Sequence, residues 1–402
     1  MYRPGMPYAQ ESVPPATPAW LLQGLRPFFL AASLWSVAAL ALWVSMLSTG
    51  WALPTRFDLL GWHIHEMLFG FVFAAVAGFL LTAVANWTGR PAFHGRPLAA
   101  LAGLWLAGRL TGLVSAWMPG WVDTAVDLSF GCALSVVVAR EIILARNRRN
   151  FMLLAPLAAL IAANLLMHLE ALGVGVRAGL GWRLGLAAMM VLLSVISGRI
   201  VPAFTRNWLV KQGRTQSLPA QAGAVDRWAL GTLHSGFLAW AIWPAVPAVA
   251  ALLLAAAVLN LWRLARWQGL ATLSEPLLFI LHVGYAWLVV GTVLLAATLL
   301  GAPLPFGAAI HALTAGAIGT MILAVMTRAT RGHTGHALHA DGITACMYLC
   351  VNAAALLRIF AGLSGRWLMP LVVVSACLWA CAFLLFAAIY GPMLLGRRGG
   401  SP

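Results

Sequence analysis

The chain has 402 residues, 62% hydrophobic and only 9% charged, with a mean hydropathy of +0.90. So few charges cannot clothe a water-facing surface, which excludes a soluble domain and predicts an all-α polytopic membrane protein. The net charge of +15 is almost wholly arginine, Lys211 being the one lysine; with no soluble surface to carry a basic patch, a nucleic-acid partner is excluded.

Residues 1–20 read as a Pro-rich, polar, disordered tail without an apolar signal core or cleavage site, so the first helix must direct insertion. Twelve apolar spans follow, at 28–47, 61–85, 97–118, 121–145, 151–173, 180–204, 225–243, 245–267, 277–300, 305–328, 341–362 and 367–395. Their connections are short, which predicts one transmembrane domain over 21–395 that meets only bilayer lipid, with a cytoplasmic tail over 396–402. Cys132, Cys346, Cys350, Cys377 and Cys381 all lie in apolar runs, so no disulfide framework is expected. The i, i+4 pairs Cys346/Cys350 and Cys377/Cys381 read as small packing residues, although the spacing suits copper(I).

Positive charge orients the spans. With the N-terminus inside, the inner segments hold fifteen arginines and Lys211, against four arginines (Arg56, Arg177, Arg183, Arg366) outside. Both termini are therefore expected in the cytoplasm.

This orientation sets the histidines by depth. His63 and His65 open the second span from outside, within Trp62-His63-Ile64-His65-Glu66. His168 lies seventeen residues into the fifth span, about 26 Å along a helix rising from inside. His311 lies near the outer start of the tenth. Unpaired imidazoles inside a membrane are costly, so four at one depth predict a shared cofactor site. On a regular helix His63 and His65 point some 200° apart, which predicts different partners for the two rings. His282 falls in the inner half of the ninth span and His333 follows the tenth on the inside, as a second site or as outliers. Arg199, before Pro202, is expected to pair with a carboxylate or propionate. His94, His234, His336 and His339 read as incidental, and Met67 and Met321 as core filler.

Spans two, six and ten end alike, in Leu81-Thr82-Ala83-Val84-Ala85-Asn86-Trp87-Thr88-Gly89-Arg90, Phe204-Thr205-Arg206-Asn207-Trp208 and Ala324-Val325-Met326-Thr327-Arg328. That suggests three pseudo-repeats of four helices. Twelve helices in three such arcs resemble the catalytic subunit of heme–copper oxidases and nitric oxide reductases.

A set of phrases in one order is more specific. Arg26-Pro27-Phe28-Phe29, Trp62 to Gly70, Gly78-Phe79-Leu80-Leu81-Thr82-Ala83-Val84 and Asn86-Trp87-Thr88-Gly89-Arg90-Pro91 come first. Asn164-Leu165-Leu166-Met167-His168, Gly198 to Thr205, Leu281-His282-Val283-Gly284-Tyr285-Ala286-Trp287, His311 to Gly316, Met326-Thr327-Arg328 and Gly332-His333-Thr334-Gly335 follow. Together they resemble the NnrS family of membrane proteins linked to the nitric oxide response. The resemblance implies a bacterial inner-membrane protein that carries heme b and copper and protects against nitrosative stress. It puts His63, His65, His168, His282, His311 and His333 forward as metal ligands, with Glu66 orienting a ring or passing a proton.

The leading expectation is an oxidoreductase-like protein that binds nitric oxide and reduces it with electrons from quinol. The alternatives are a metal or heme transporter, and a sensor or maturation factor without turnover. Intramembrane carboxylates are few (Glu66, Asp123, Asp127 and Glu170 outside, Glu141 inside), which argues against a proton pump and for protons from the outer side. Reporter fusions test the orientation: one at Ser217 is expected to report cytoplasm and one at Val176 periplasm, and the reverse at both would invert it.

Overall fold

The structure is a computed structural model describing residues 17–397; residues 1–16 of the expected tail and 398–402 at the other end lie outside the described residues. Residues Ala19–Leu21 form a short 3-10 turn. Twelve helices then run antiparallel: α1 Leu25–Thr49, α2 Leu59–Thr88, α3 Gly95–Leu113, α4 Gly120–Leu144, α5 Arg148–Ala171, α6 Leu180–Lys211, α7 Ala224–Ile242, α8 Pro247–Ala265, α9 Pro276–Leu299, α10 Phe306–Thr334, α11 Gly342–Ala361 and α12 Leu368–Leu395. Each predicted span has its helix, and no strand occurs among the described residues.

Ten of these helices are long and apolar enough to cross a membrane; α3 and α7 fall short on composition. Both contain 19 residues, about 28 Å of rise, so length is not the obstacle. Each turns one charge inward: Arg109 of α3 is 2% exposed, and Asp226 of α7 bonds Arg263 of α8 at 2.8 Å, while Arg96 and Arg227 are exposed. The chain is a multi-pass membrane protein, and its outer surface agrees. Val136, Val258 and Leu349 are exposed in mid-helix, where only lipid suits them, and Trp51, Trp117, Trp121, Trp243 and Trp367 ring one end of the bundle.

Local chemistry fixes the ends. Asp58 caps α2 by accepting from the Gly61 amide, and Asp341 caps α11 by accepting from Thr344. Proline opens α8 and α9 at the first turn, where its missing N–H costs nothing. Gly50, Gly89 and Gly335 close α1, α2 and α10 in the left-handed region. The connections α1–α2, α3–α4, α5–α6, α7–α8, α9–α10 and α11–α12 gather at one end. This is the arginine-poor end of the sequence count. For example, Arg56 donates to the Ser115 and Met118 carbonyls, and Arg177 to the Ile242 carbonyl.

The helices close into a ring in which α12 packs on α1, with α2, α6, α9 and α10 the most buried. An apolar cleft lies between α1, α2, α6 and α10, lined by Phe29, Met189, Ile196, Met321 and Val325 among others. The three helices of the predicted repeat thus meet around it. Two of them are distorted alike: α2 turns π-helical over Glu66–Val72 and α10 over Ala312–Gly319, each directly after a histidine (His65, His311). Such turns add a residue per turn and often mark functional positions.

Glycine lets α1 and α2 approach. A methyl group at Gly78 would stand 2.8 Å from Phe29 Cδ1 and 3.1 Å from Phe28 Cβ. Gly78→Leu is expected to destabilise the bundle by about 1–3 kcal/mol, the usual cost of overpacking. Gly103→Leu, with nothing within 4 Å, should leave the melting temperature unchanged. Thermal unfolding in detergent, followed by size-exclusion chromatography, compares the two.

Candidate functional site

At its arginine-poor end, α2 presents its two histidines to different neighbours. His63 stacks on Trp43 of α1 at 4.2 Å between ring centroids. Its electrostatic neighbours are Arg358 of α11 and His311 of α10. His65 turns toward α4 and α5, its ring 5.1 Å from that of His168. The four histidines do share one end of the bundle, but they form two groups, not the single site expected from their common depth. Helix rotation, invisible to a depth argument, separates them.

The His65 group is a buried ionic network. Arg109 of α3 donates to Glu66 Oε2 at 2.6 Å and, through its other terminal nitrogen, to Asp127 Oδ1 of α4. Glu66 Oε2 also accepts from Trp35 Nε1 at 2.8 Å, and Glu66 Oε1 lies 3.0 Å from His65 Nδ1. Asp127 Oδ2 accepts from Asn164 Nδ2 at 2.7 Å and lies 3.2 Å from His65 Nε2 and 3.1 Å from His168 Nε2. Asp123 Oδ2 is 3.5 Å from His168 Nδ1, while its Oδ1 is buried without a hydrogen-bond partner. Except for the half-buried Trp35, all of these side chains are at most 4% exposed. Phe57, from the α1–α2 connection, stacks on His65 at 4.6 Å and closes the group from the end of the bundle.

Local sequence explains the convergence. Asp123/Asp127 and Asn164/His168 are i, i+4 pairs, so each lies on one helix face. Gly108 brings α3 against α4, since a methyl group there would stand 2.7 Å from Asp127 Oδ1. One nitrogen or oxygen from each of His65, Asp127 and His168 falls within 4.8 Å of the others, so this trio can hold a metal ion. Sequence reading noted Asp123 and Asp127 only as outer carboxylates and missed Arg109 and Asn164. The two i, i+4 pairs were the available signal.

The second group has Trp43, Arg358 and the Gly307 carbonyl around its two rings and no carboxylate hydrogen-bonded to either. His311 Nδ1 donates to the Gly307 carbonyl at 2.6 Å, which leaves Nε2 as its free lone pair. His63 Nδ1 is buried without a hydrogen-bond partner.

The other expected residues lie at the arginine-rich end. His282 contacts Thr205 Oγ1 through Nε2 at 2.9 Å, with Nδ1 buried and unpartnered. It is far along α9 from the two groups, as its inner-half position implied. His333 occupies the last turn of α10. Arg199, expected to pair with a carboxylate or propionate, instead donates to Asn150 Oδ1 at 2.8 Å and to the Arg149 carbonyl at 3.1 Å, and so anchors the start of α5. The cysteines are exposed or half-buried on the lipid side.

The family profile described as NnrS protein matches residues 19–398. The match covers nearly the whole chain, and the chain belongs to the NnrS family. No curated protein matches the sequence.

Removing one partner of a buried ion pair leaves the others uncompensated, at about 3–5 kcal/mol. Arg109→Met is therefore expected to lower stability by about that much, and Arg109→Met with Glu66→Gln to recover part of it. Equal melting temperatures for wild type and Arg109→Met would show that the network contributes nothing to the fold.

Proposed function

We propose that this NnrS-family membrane protein binds heme b and copper at its arginine-poor end and there captures and reduces nitric oxide, relieving nitrosative stress. The observation that carries the reading is the divergence of His63 and His65 from one helix end, each beside a further histidine. Two separate imidazole groups a helix-width apart suit two neighbouring redox centres.

The residues fit these groups. His63 Nδ1 is an orphaned buried nitrogen, and His311 offers Nε2 because its Nδ1 is held by Gly307. A neutral imidazole with its other nitrogen fixed is the usual ligand of heme iron. His63 and His311 are the residues that would hold heme. Porphyrin carboxylates need a cation, and Arg358 is within electrostatic reach of both rings. A heme held by one of these two imidazoles would supply a place for a small gaseous ligand and an electron for it.

The rest is the work of the chain. Stacking on Trp43 fixes the plane of His63. The cleft between α1, α2, α6 and α10 is lined almost wholly by apolar side chains, a surface that suits an uncharged gas. Glu66 is fully engaged by Arg109, Trp35 and His65, so it orients His65 rather than carrying protons. Reduction of two nitric oxide molecules takes two electrons and two protons and gives nitrous oxide and water; quinol, dissolved in the same bilayer, supplies both. With both termini cytoplasmic in a bacterial inner membrane, the site faces the periplasm.

A purified preparation is expected to show a b-type Soret band that shifts when the reduced protein meets nitric oxide. His63→Ala and His311→Ala should lose most of the heme, while His94→Ala, in the α2–α3 connection, should keep it. A folded, monodisperse but colourless wild type would sink the reading and favour a transporter.

A further inference from the structure

We infer that His65, His168 and Asp127 form a non-heme site for one divalent transition-metal ion, oriented by two further carboxylates, Glu66 and Asp123. The inference takes the metal-binding half of the proposed function further and rests on that reading only in expecting a metalloprotein.

Distances come first. His65 Nε2 and His168 Nε2 lie 3.2 Å and 3.1 Å from Asp127 Oδ2. Ligands about 2.0–2.2 Å from a tetrahedral ion lie about 3.3 Å from one another. Two edges of the trio are thus close to those of a coordination polyhedron, and the three ligand atoms, from α2, α4 and α5, all lie within 4.8 Å of one another.

Orientation comes second. The Nδ1 of His65 faces Glu66 Oε1 at 3.0 Å, and the Nδ1 of His168 faces Asp123 Oδ2 at 3.5 Å. Each ring thus has its own carboxylate behind it and turns Nε2 toward Asp127 Oδ2; His65 Nε2 also lies 2.9 Å from Asn164 Oδ1, a contact the ion would replace. That arrangement fixes the tautomer of a metal-binding histidine and raises its basicity. Asp127 divides its oxygens in the same way, giving Oδ1 to Arg109 and leaving Oδ2 at the common point.

Charge comes third. Glu66, Asp123 and Asp127 bring three negative charges and Arg109 one positive, all buried. With neutral imidazoles that leaves a surplus of two negative charges, which one divalent ion would balance, as protons on the rings and carboxylates do in its absence. Asp123 Oδ1, buried without a partner, is the visible residue of that imbalance. Two imidazoles and a carboxylate suit iron(II), copper(II) or zinc(II), and suit copper(I) poorly because soft sulfur is absent.

The test uses detergent-purified full-length protein, stripped with chelator and titrated separately with copper(II), iron(II) and zinc(II). Bound metal is counted by mass spectrometry, and melting temperature is read alongside. Wild type is expected to take up about one ion per chain beyond any heme iron and to melt higher with it. Its copper(II) form should show nitrogen couplings in electron paramagnetic resonance. His168→Gln should abolish this uptake, Asp123→Asn should weaken it at least tenfold as loss of an orienting carboxylate does, and His94→Ala should not change it. Wild type that takes up no ion, or His168→Gln that binds as wild type does, overturns the inference. If the variants fail to fold, the wild-type stoichiometry and couplings decide alone. Heme measured in the same samples keeps the two readings apart: loss of uptake with heme retained, or the reverse, sinks only one of them.

Discussion

Arg109 is the residue on which the arginine-poor half of the bundle depends. Its guanidinium reaches Glu66 on α2 and Asp127 on α4 at once, and Asp127 reaches Asn164 and His168 on α5. Four helices are thereby tied through one buried cation. In water such pairs contribute little, because solvent competes for each charge. Inside a bilayer no solvent competes, and a lone charge costs several kcal/mol, so the network must be complete or absent. This constraint reaches back into the backbone: Gly108 has to be small for α3 to lie against Asp127, and Gly112 lies beside Glu66 Oε1.

The same need for close approach recurs around the π turns. The turn in α2 carries Gly70 against Trp35, whose indole in turn bonds Glu66. The turn in α10 carries Gly316 against Trp287 and Gly319 against Trp379. Both turns follow a histidine and both replace side chains by neighbouring tryptophans. Helices two and ten are thus alike in distortion as well as in their terminal phrases. Helix α6, the third member, has Pro202 instead of a π turn, so the repeat is one of position around the cleft more than of local geometry.

How legible this was in the sequence varies by the kind of physics involved. The spans are legible because a 20-residue apolar run has few alternatives in a bilayer. The common end of His63, His65, His168 and His311 is legible because arginine bias and helix rise fix depth. The opposite facing of His63 and His65 follows from helical angle alone, and each ring does have different neighbours. Their partners are not legible, because those depend on the rotation of α4, α5, α10 and α11. Arg109 was taken as one more arginine within a span, yet it carries the network. Arg199 drew attention beside Pro202, yet its hydrogen bonds go to an amide oxygen, a carbonyl and the Met152 sulfur. A buried arginine and a snorkelling one have the same letter; only the facing helix distinguishes them.

The two imidazole groups differ most in their fixed charge, and that difference bears on what each can hold. A bare metal ion brings only positive charge, so a buried site for it must supply carboxylates. The His65 group has three against one arginine. An iron porphyrin brings its own carboxylates, so a site for it needs neutral ligands and a cation nearby. The His63 group has neutral rings and Arg358. Exchanging the occupants would leave excess negative charge on one side of α2 and excess positive charge on the other. A single helix, by presenting one ring to each side, lets opposite electrostatic environments stand within one turn of each other. That proximity is what the proposed pair of centres, sharing electrons and a small uncharged substrate, would require.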